Sequence, residues 1–407
     1  MKNLPLTRFL SNPRYILFLY ILLAVVFSLL NVKKGETKVF SGDKTYTYYN
    51  NYVIFKNAYY HLKQGADLYI LYPDKQWDLY KYSPTFAATM VVLAYMPDWL
   101  GLVLWNLINV LILFYGIRYF IKGPPVTIFI LWFICNELIT SIMNSQSNPM
   151  IAGLLAMAFT CFEKQKVHWA ALFIVSTFYI KVFGILAALL FLFYPQKGKF
   201  MVWCLVWSAV LFILPLVFIY PMTGSNGLDT LIWQYNNWLR LLSEDHSGSL
   251  GYSFMGVLHS WFGVNSGKDL LVIVGLACLV IPFVFVRKFN DLNYRIHWFA
   301  SLLIWLVIFN HKAESPTFII AFTGIGLWVF TSPKNAMVIS LAVLAFVFTS
   351  LAPTDLFPAT IRRSFFEPYA IKAVPCILIW TYITVGLVRE GLNPKSAFEN
   401  ADSIKPN

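Results

Sequence analysis

Phe309-Asn310-His311-Lys312-Ala313-Glu314-Ser315-Pro316 separates two apolar runs, residues 298–309 and 317–331, and sets three ionisable side chains within four positions. Charge beside a hydrocarbon-spanning helix is costly unless it faces water or a partner, so a break of this kind marks a helix mouth with a use. The longest stretch without a spanning run, residues 33–83, has a matching polar character. It carries Tyr46-Thr47-Tyr48-Tyr49-Asn50-Asn51-Tyr52, then Tyr59-Tyr60-His61, then Tyr69, Tyr72, Trp77, Tyr80 and Tyr82. Val53, Ile54, Ala58 and Leu62 recur at helical spacing, which predicts an interfacial amphipathic helix from Asn51 to Lys63 that ends at Gly65-Ala66-Asp67. We expect this first loop and the late break to form one extracytoplasmic site.

Around these two stretches the chain is mostly hydrocarbon. It is 58% hydrophobic and 12% charged, against about 25% charged in soluble domains, and its mean hydropathy is +0.64. Apolar runs at 15–30, 84–96, 100–120, 126–142, 149–162, 169–180, 183–194, 200–220, 270–286, 298–309, 317–331, 336–351 and 371–388 predict about a dozen crossings. Several are too short to span the roughly 30 Å core unless tilted or broken. The predicted fold class is an all-α polytopic membrane protein: one transmembrane domain over 1–390, a first loop over 33–83 and a disordered cytoplasmic tail over 391–407. Cys135, Cys161, Cys204, Cys278 and Cys376 all fall inside apolar runs without CxxC spacing and read as packing residues, so neither a disulfide framework nor a metal site is predicted.

The net charge of +12 would point to nucleic acid in a soluble protein; in a membrane protein it marks cytoplasmic loops. Lys2, Arg8 and Arg14 precede the first run, and no small-x-small cleavage site follows it, so it reads as a helix with its start inside. Glu163-Lys164-Gln165-Lys166, Gln196-Lys197-Gly198-Lys199, Arg287-Lys288, Lys334 and the tail from Arg389 also belong inside. This leaves Asn144 to Asn148, Lys181, the loop 221–268, Asn310 to Ser315 and 352–369 outside, with both termini in the cytoplasm. If Arg118 and Lys122 are inside as well, run 84–96 is a half-membrane hairpin turning at Pro97-Asp98-Trp99; otherwise that basic pair is external.

The external polar residues are the candidates for chemistry. Asp43, Asp78, His311 and Glu314 can take a proton; Lys81, Lys181, Lys312 and Arg362 can hold a phosphate or diphosphate. Asn51, Tyr82, Gln146, Asn148 and His246 can meet sugar hydroxyls, and the tyrosines can stack on sugar faces. Plainer roles compete: an aromatic belt at the headgroups, a snorkelling Lys181, a polar turn before Pro149. No Walker-type glycine loop and no metal-spaced ligand pair is present, which argues against a nucleotide-driven pump.

The order of motifs resembles glycosyltransferase family 87, polytopic GT-C type enzymes that use polyprenyl-phosphate-linked sugars. The resemblance rests on Asn51-Tyr52-Val53-Ile54-Phe55-Lys56-Asn57-Ala58, Gly65-Ala66-Asp67-Leu68-Tyr69, Lys81-Tyr82-Ser83-Pro84, Trp105, Gln146-Ser147-Asn148, Lys181, Ser249-Leu250 and the break near His311. It implies a GT-C type helical bundle and inverting transfer of a hexosyl (mannose-like) or pentosyl unit. The donor would be a polyprenyl phosphate and the acceptor a lipid or glycan at the outer face of the cell inner (plasma) membrane. No cofactor and no nucleic-acid partner is implied. Family members place a catalytic aspartate early in the first loop, where this chain has Asn51, and an amide cannot act as a general base. Either another carboxylate takes the task, Asp43 and Asp78 being nearest, or the protein binds without this chemistry. A lipid-linked sugar transporter or flippase is the other class, although no internal repeat with paired Gly/Pro interruptions is evident.

Overall fold

A computed structural model describes residues 11–38, 44–223, 226–244, 250–265 and 267–393. The chain is an all-α polytopic membrane protein with one short β-ribbon, and among the described residues five helices are long and apolar enough to cross a membrane: Pro13–Lys34, Asp98–Arg118, Pro124–Met143, Lys197–Ile219 and Ile371–Leu392. It divides into two compact units, one from the described residues of 1–131, 138–188 and 198–247, the other from those of 132–137, 189–197 and 248–407.

In the first unit, α1 (Pro13–Lys34) begins with Pro13 at its first helical position, and the Asn12 side chain accepts from the Arg14 amide at 2.9 Å. Ile16, Tyr20, Ala24, Ser28 and Asn31 form its buried stripe, while Phe18, Leu22, Val26 and Leu29 are exposed. An apolar outer face with a partly polar inner one suits a helix whose surroundings are lipid. The inner polar groups are paired: Asn106 donates to Ser28 Oγ at 2.8 Å and Asn31 to the Met143 carbonyl at 2.8 Å.

After α1 a two-stranded antiparallel ribbon pairs β1 (Glu36–Lys38) with β2 (Thr45–Thr47), Thr37 facing Tyr46. Next comes α2 (Asn50–Lys63), the amphipathic helix expected from the apolar spacing, with Tyr52, Phe55, Tyr59 and Leu62 buried. Gly65 at φ +68 turns the chain out of it, a conformation glycine adopts without strain. Run 84–96 is two short helices, α3 (Pro84–Thr89) and α4 (Val91–Ala94). Together they rise about 16 Å, roughly half the hydrocarbon thickness, so this run is not a full crossing. Lys56 ties α2 to the next helix, α5 (Asp98–Arg118), by a 2.7 Å ion pair with Asp98.

The helices α6 (Pro124–Met143), α7 (Asn148–Glu163) and α8 (Val167–Ile180) follow. Gly116 of α5 and Gly153 of α7 face one another; a Cβ on Gly116 would strike the backbone of Gly153, and one on Gly153 would strike that of Ile112. Absent side chains are what let these two helices approach so closely. After a 3₁₀ stretch, Val182–Phe193, come α9 (Lys197–Ile213) and α10 (Leu216–Thr223), on either side of Pro215. Most of the 221–268 stretch that the sequence assigns to a loop is helical: α11 (Gly227–Ser243) and α12 (Phe254–Phe262) occupy it. Both are amphipathic; α11 is too polar and α12, with nine residues, too short to show as a spanning run, which is why hydropathy passes over them.

The second unit is built on α13 (Lys268–Val280), α14 (Leu292–Ile308) and α15 (Phe318–Thr331). α14 and α15 are buried on nearly every face. Gly324 sits where a Cβ would come to 2.6 Å from the Ala300 carbonyl. α16 (Ala336–Leu344) runs into a π-helical segment, Ala345–Leu351, and a second one, Arg362–Phe366, follows α17 (Ala359–Ile361). α18 (Val374–Leu392) closes the unit. Residues 132–137 of α6 belong here: Phe133 stacks on Phe322 at 4.5 Å, and Asn136 donates to the Ser350 carbonyl at 2.6 Å.

Candidate functional site

In the first unit the loop, the 144–148 turn and the end of α8 meet. Ser83 organises the meeting: its Oγ caps α3 by accepting from the Phe86 amide at 3.1 Å and donates to the Tyr179 carbonyl at 2.6 Å. Tyr82 is thereby set beside Lys181, whose Nζ lies 5.8 Å from the Tyr82 ring centre. The Tyr82 hydroxyl donates to Gln146 Oε1 at 3.3 Å, and Lys181 Nζ to Asn148 Oδ1 at 2.8 Å. Asn51 reaches the same turn, donating to the Asn144 carbonyl at 2.9 Å. Four predicted binding residues, Tyr82, Gln146, Asn148 and Lys181, thus form one connected cluster.

The turn itself is strained and polar. Ser145 has φ +52, a conformation that costs a non-glycine residue on the order of 1 kcal/mol or more. Trp105 Nε1 donates to the Ser145 carbonyl at 2.9 Å and the Gln146 amide to the Ser141 carbonyl at 3.1 Å, which hold the turn in place. The hydroxyls of Ser145 and Ser147 are buried without a hydrogen-bond partner among the described residues. Directly next to this polar cluster is an apolar cavity of about 610 Å³ lined by Phe86, Trp105, Met150, Phe173, Tyr179 and Ile180, among others. Ile180 precedes Lys181 and Phe86 stacks on Tyr82 at 4.9 Å, so the polar cluster adjoins the greasy cavity through two of its lining residues.

Asp78 and Lys81 pair at 2.9 Å, both about half exposed. α11 clamps this part of the loop. Gln234 accepts from the Leu68 amide at 3.2 Å and donates to the Ala66 carbonyl at 2.5 Å, Asn237 donates to Asp67 Oδ2 at 3.1 Å, and Trp238 donates to the Lys81 carbonyl at 3.3 Å. Nothing in the spacing of Gln234, Asn237 and Trp238 signals this task before the helix is folded onto the loop.

The other predicted residues lie in the second unit or outside the described residues. On the late break, the Lys312 amide donates to Asn310 Oδ1 at 3.0 Å and Tyr252 N donates to the Ala313 carbonyl at 2.9 Å. Gly251, at φ +50, packs so tightly there that a Cβ would come to 2.7 Å from the Ala313 carbonyl. Burial, with the Lys268 charge second, holds the His311 imidazole below its ordinary range, so it favours the neutral form. Glu314, three positions on, is exposed. Arg362 pairs with Asp355 at 2.6 Å and lines a polar cavity of about 190 Å³ with Tyr252, Ser315, Glu367 and Lys372. Asp43, His246, Ser249, the basic Lys2 and Arg8, and the tail beyond Asn393 fall outside the described residues.

One pair escaped the sequence reading altogether. Lys372 Nζ lies 3.0 Å from both carboxylate oxygens of Glu137 and 2.9 Å from Ser315 Oγ, with Glu137 fully buried. An ionisable residue within run 126–142 was the available signal.

Fold and site together define a polytopic membrane protein in which a cation and hydroxyl-binding side chains adjoin an apolar cavity. The chain belongs to glycosyltransferase family 87, whose family model matches residues 80–310, and it is therefore a membrane glycosyltransferase acting between a sugar donor and an acceptor. No curated protein matches it in sequence.

Proposed function

We propose that the chain transfers a hexosyl (mannose-like) or pentosyl unit from a polyprenyl-phosphate donor to a lipid or glycan acceptor at the extracytoplasmic face of the cell inner (plasma) membrane. The observation that carries this is the adjacency of Lys181 and Tyr82 to the apolar cavity, through its lining residues Ile180 and Phe86. A polyprenyl chain fits between α3, α5 and α8, its phosphate meets the Lys181 ammonium, and the sugar lies against Tyr82, Gln146 and Asn148. Asp78 is the carboxylate assigned as base, because its partner Lys81 precedes Tyr82 in the chain. The acceptor oxygen attacks the anomeric carbon as its proton passes to Asp78. The anomeric carbon–phosphate oxygen bond breaks, and the phosphate leaves with the electron pair beside Lys181. A single displacement inverts the anomeric centre. The positions of the basic loops support placing both termini in the cytoplasm.

Asn51 favours a second reading, a homologue that binds lipid-linked sugar without transferring it, since an amide occupies the place of the family's aspartate. Labelled polyprenyl-phosphate sugar separates the two. On the transfer reading the purified chain forms product, Lys181→Ala lowers kcat/KM about 10²–10³-fold, as expected when a charge-stabilising group is lost, and Asp78→Asn abolishes turnover while donor binding persists. Donor binding without product in the wild-type chain would select the binding reading. Full transfer by both variants would remove Lys181 and Asp78 from the site. Alanine at His311, Lys312 and Glu314 in the same assay reports whether the second unit takes part.

A further inference from the structure

A second groove, independent of the transfer reading, lies where α7 turns into α8. Gln165 takes φ +56 and the Lys166 amide donates back to the Cys161 carbonyl at 2.8 Å, so the turn is tight. Lys164 and Lys166 are both exposed and both line a groove of about 390 Å³. The walls carry aromatic rings in two stacks, Tyr115 on Tyr119 at 5.8 Å and Trp169 on Phe173 at 6.3 Å. Tyr119 and Trp169 remain substantially exposed, and the Arg118 guanidinium lies 6.0 Å from the Tyr119 ring centre. The lining contains two ammonium groups and no carboxylate.

Thr160 gives the independent sign of a ligand. Thr323, Thr331 and Thr381 each donate to the carbonyl four residues earlier, the usual outlet for a helical hydroxyl. Thr160 lines the groove, is 7% exposed, and its Oγ1 has no hydrogen-bond partner among the described residues. A buried hydroxyl left without a partner is costly, and a ligand acceptor in the groove would remove that cost.

We propose that this groove binds an anionic glycerophospholipid of the bilayer. Lys164 and Lys166 hold its phosphate, Thr160 donates to an ester carbonyl, and an acyl chain lies along Met157, Trp169 and Phe173. Charge complementarity selects the anionic headgroup, and the aromatic apolar floor selects a lipid over a free anion.

The test is native mass spectrometry of the purified full chain titrated separately with dioleoylphosphatidylglycerol and dioleoylphosphatidylcholine. The wild-type protein is expected to retain the phosphatidylglycerol more tightly, and each lysine changed to glutamine to weaken that retention about fivefold. Lys164→Gln with Lys166→Gln should bring it to the phosphatidylcholine level; both side chains are exposed, so the fold stays intact. Thr160→Val should weaken both lipids alike, because both carry the ester carbonyl, and Lys197→Gln with Lys199→Gln should change neither. Equal retention of the two lipids by the wild-type chain overturns the proposal. So does a preference that survives the Lys164/Lys166 change, or one that is lost equally with Lys197 and Lys199; unchanged retention in Thr160→Val overturns the part given to that hydroxyl.

Discussion

His61 is a buried imidazole in the middle of the first loop, stacked on Tyr72 with ring centres 3.8 Å apart and 3.3 Å from Lys75 Nζ. Burial, with the Lys75 charge second, lowers its pKa from 6.5 to about 4. Between those values the unfolded chain carries a proton that the folded chain refuses, so the stability His61 contributes is complete above about pH 6.5 and is lost as pH falls toward 4. Thermal unfolding in detergent between pH 7.5 and 4 should show a steep loss of Tm for the wild-type chain and a shallower one for His61→Gln. Identical slopes would mean that another group titrates. The sequence marks His61 as part of an aromatic, polar stretch. That it is a neutral, stacked side chain follows from what folds over it.

At the scale of elements, α11 decides the shape of the first loop. Two of its side chains, Gln234 and Trp238, satisfy the backbone of residues 66, 68 and 81, and a third, Asn237, bonds the Asp67 carboxylate; groups left unpaired there cost roughly 1–3 kcal/mol each. Gln234→Ala with Asn237→Ala is expected to raise amide hydrogen exchange across residues 66–82 while leaving α5 and α7 protected. Unchanged exchange would show that the loop holds its form without the clamp. α2 is legible in the sequence because its apolar residues repeat at helical spacing, whereas α11 reads as loop because its buried residues include Gln234 and Asn237. Hydropathy registers how many residues are apolar; an amphipathic helix holding a loop through amides leaves little trace in it.

At the scale of the whole molecule, contacts distant in sequence hold the bundle. Glu137 and Lys372, 235 positions apart, are joined in a buried pair that Ser315 completes. Removing one partner strands the other charge, which typically costs roughly 3–5 kcal/mol, whereas replacing both with apolar residues of similar volume is often neutral or stabilising. Glu137→Leu and Lys372→Leu are each expected to lower Tm strongly, and the double variant to recover most of the loss. Additive losses in the double variant would show that the two charges act separately.

The fold class, the amphipathic α2 and the membership in a membrane glycosyltransferase family were legible in the chain itself, because lipid solvation imposes length and hydropathy on every spanning segment and the motifs keep their order. Tyr82, Gln146, Asn148 and Lys181 were individually nameable as polar residues at helix ends. That they touch was decided only in three dimensions: Ser83 bonds across to α8, a strained Ser145 turn presents the amides, and glycines allow α5 and α7 to close. The pairing of Glu137 with Lys372 and the clamp from α11 likewise appeared only with the tertiary structure. Hydrogen bonds and ion pairs depend on distance and direction between atoms far apart in the chain, which neither composition nor periodicity encodes.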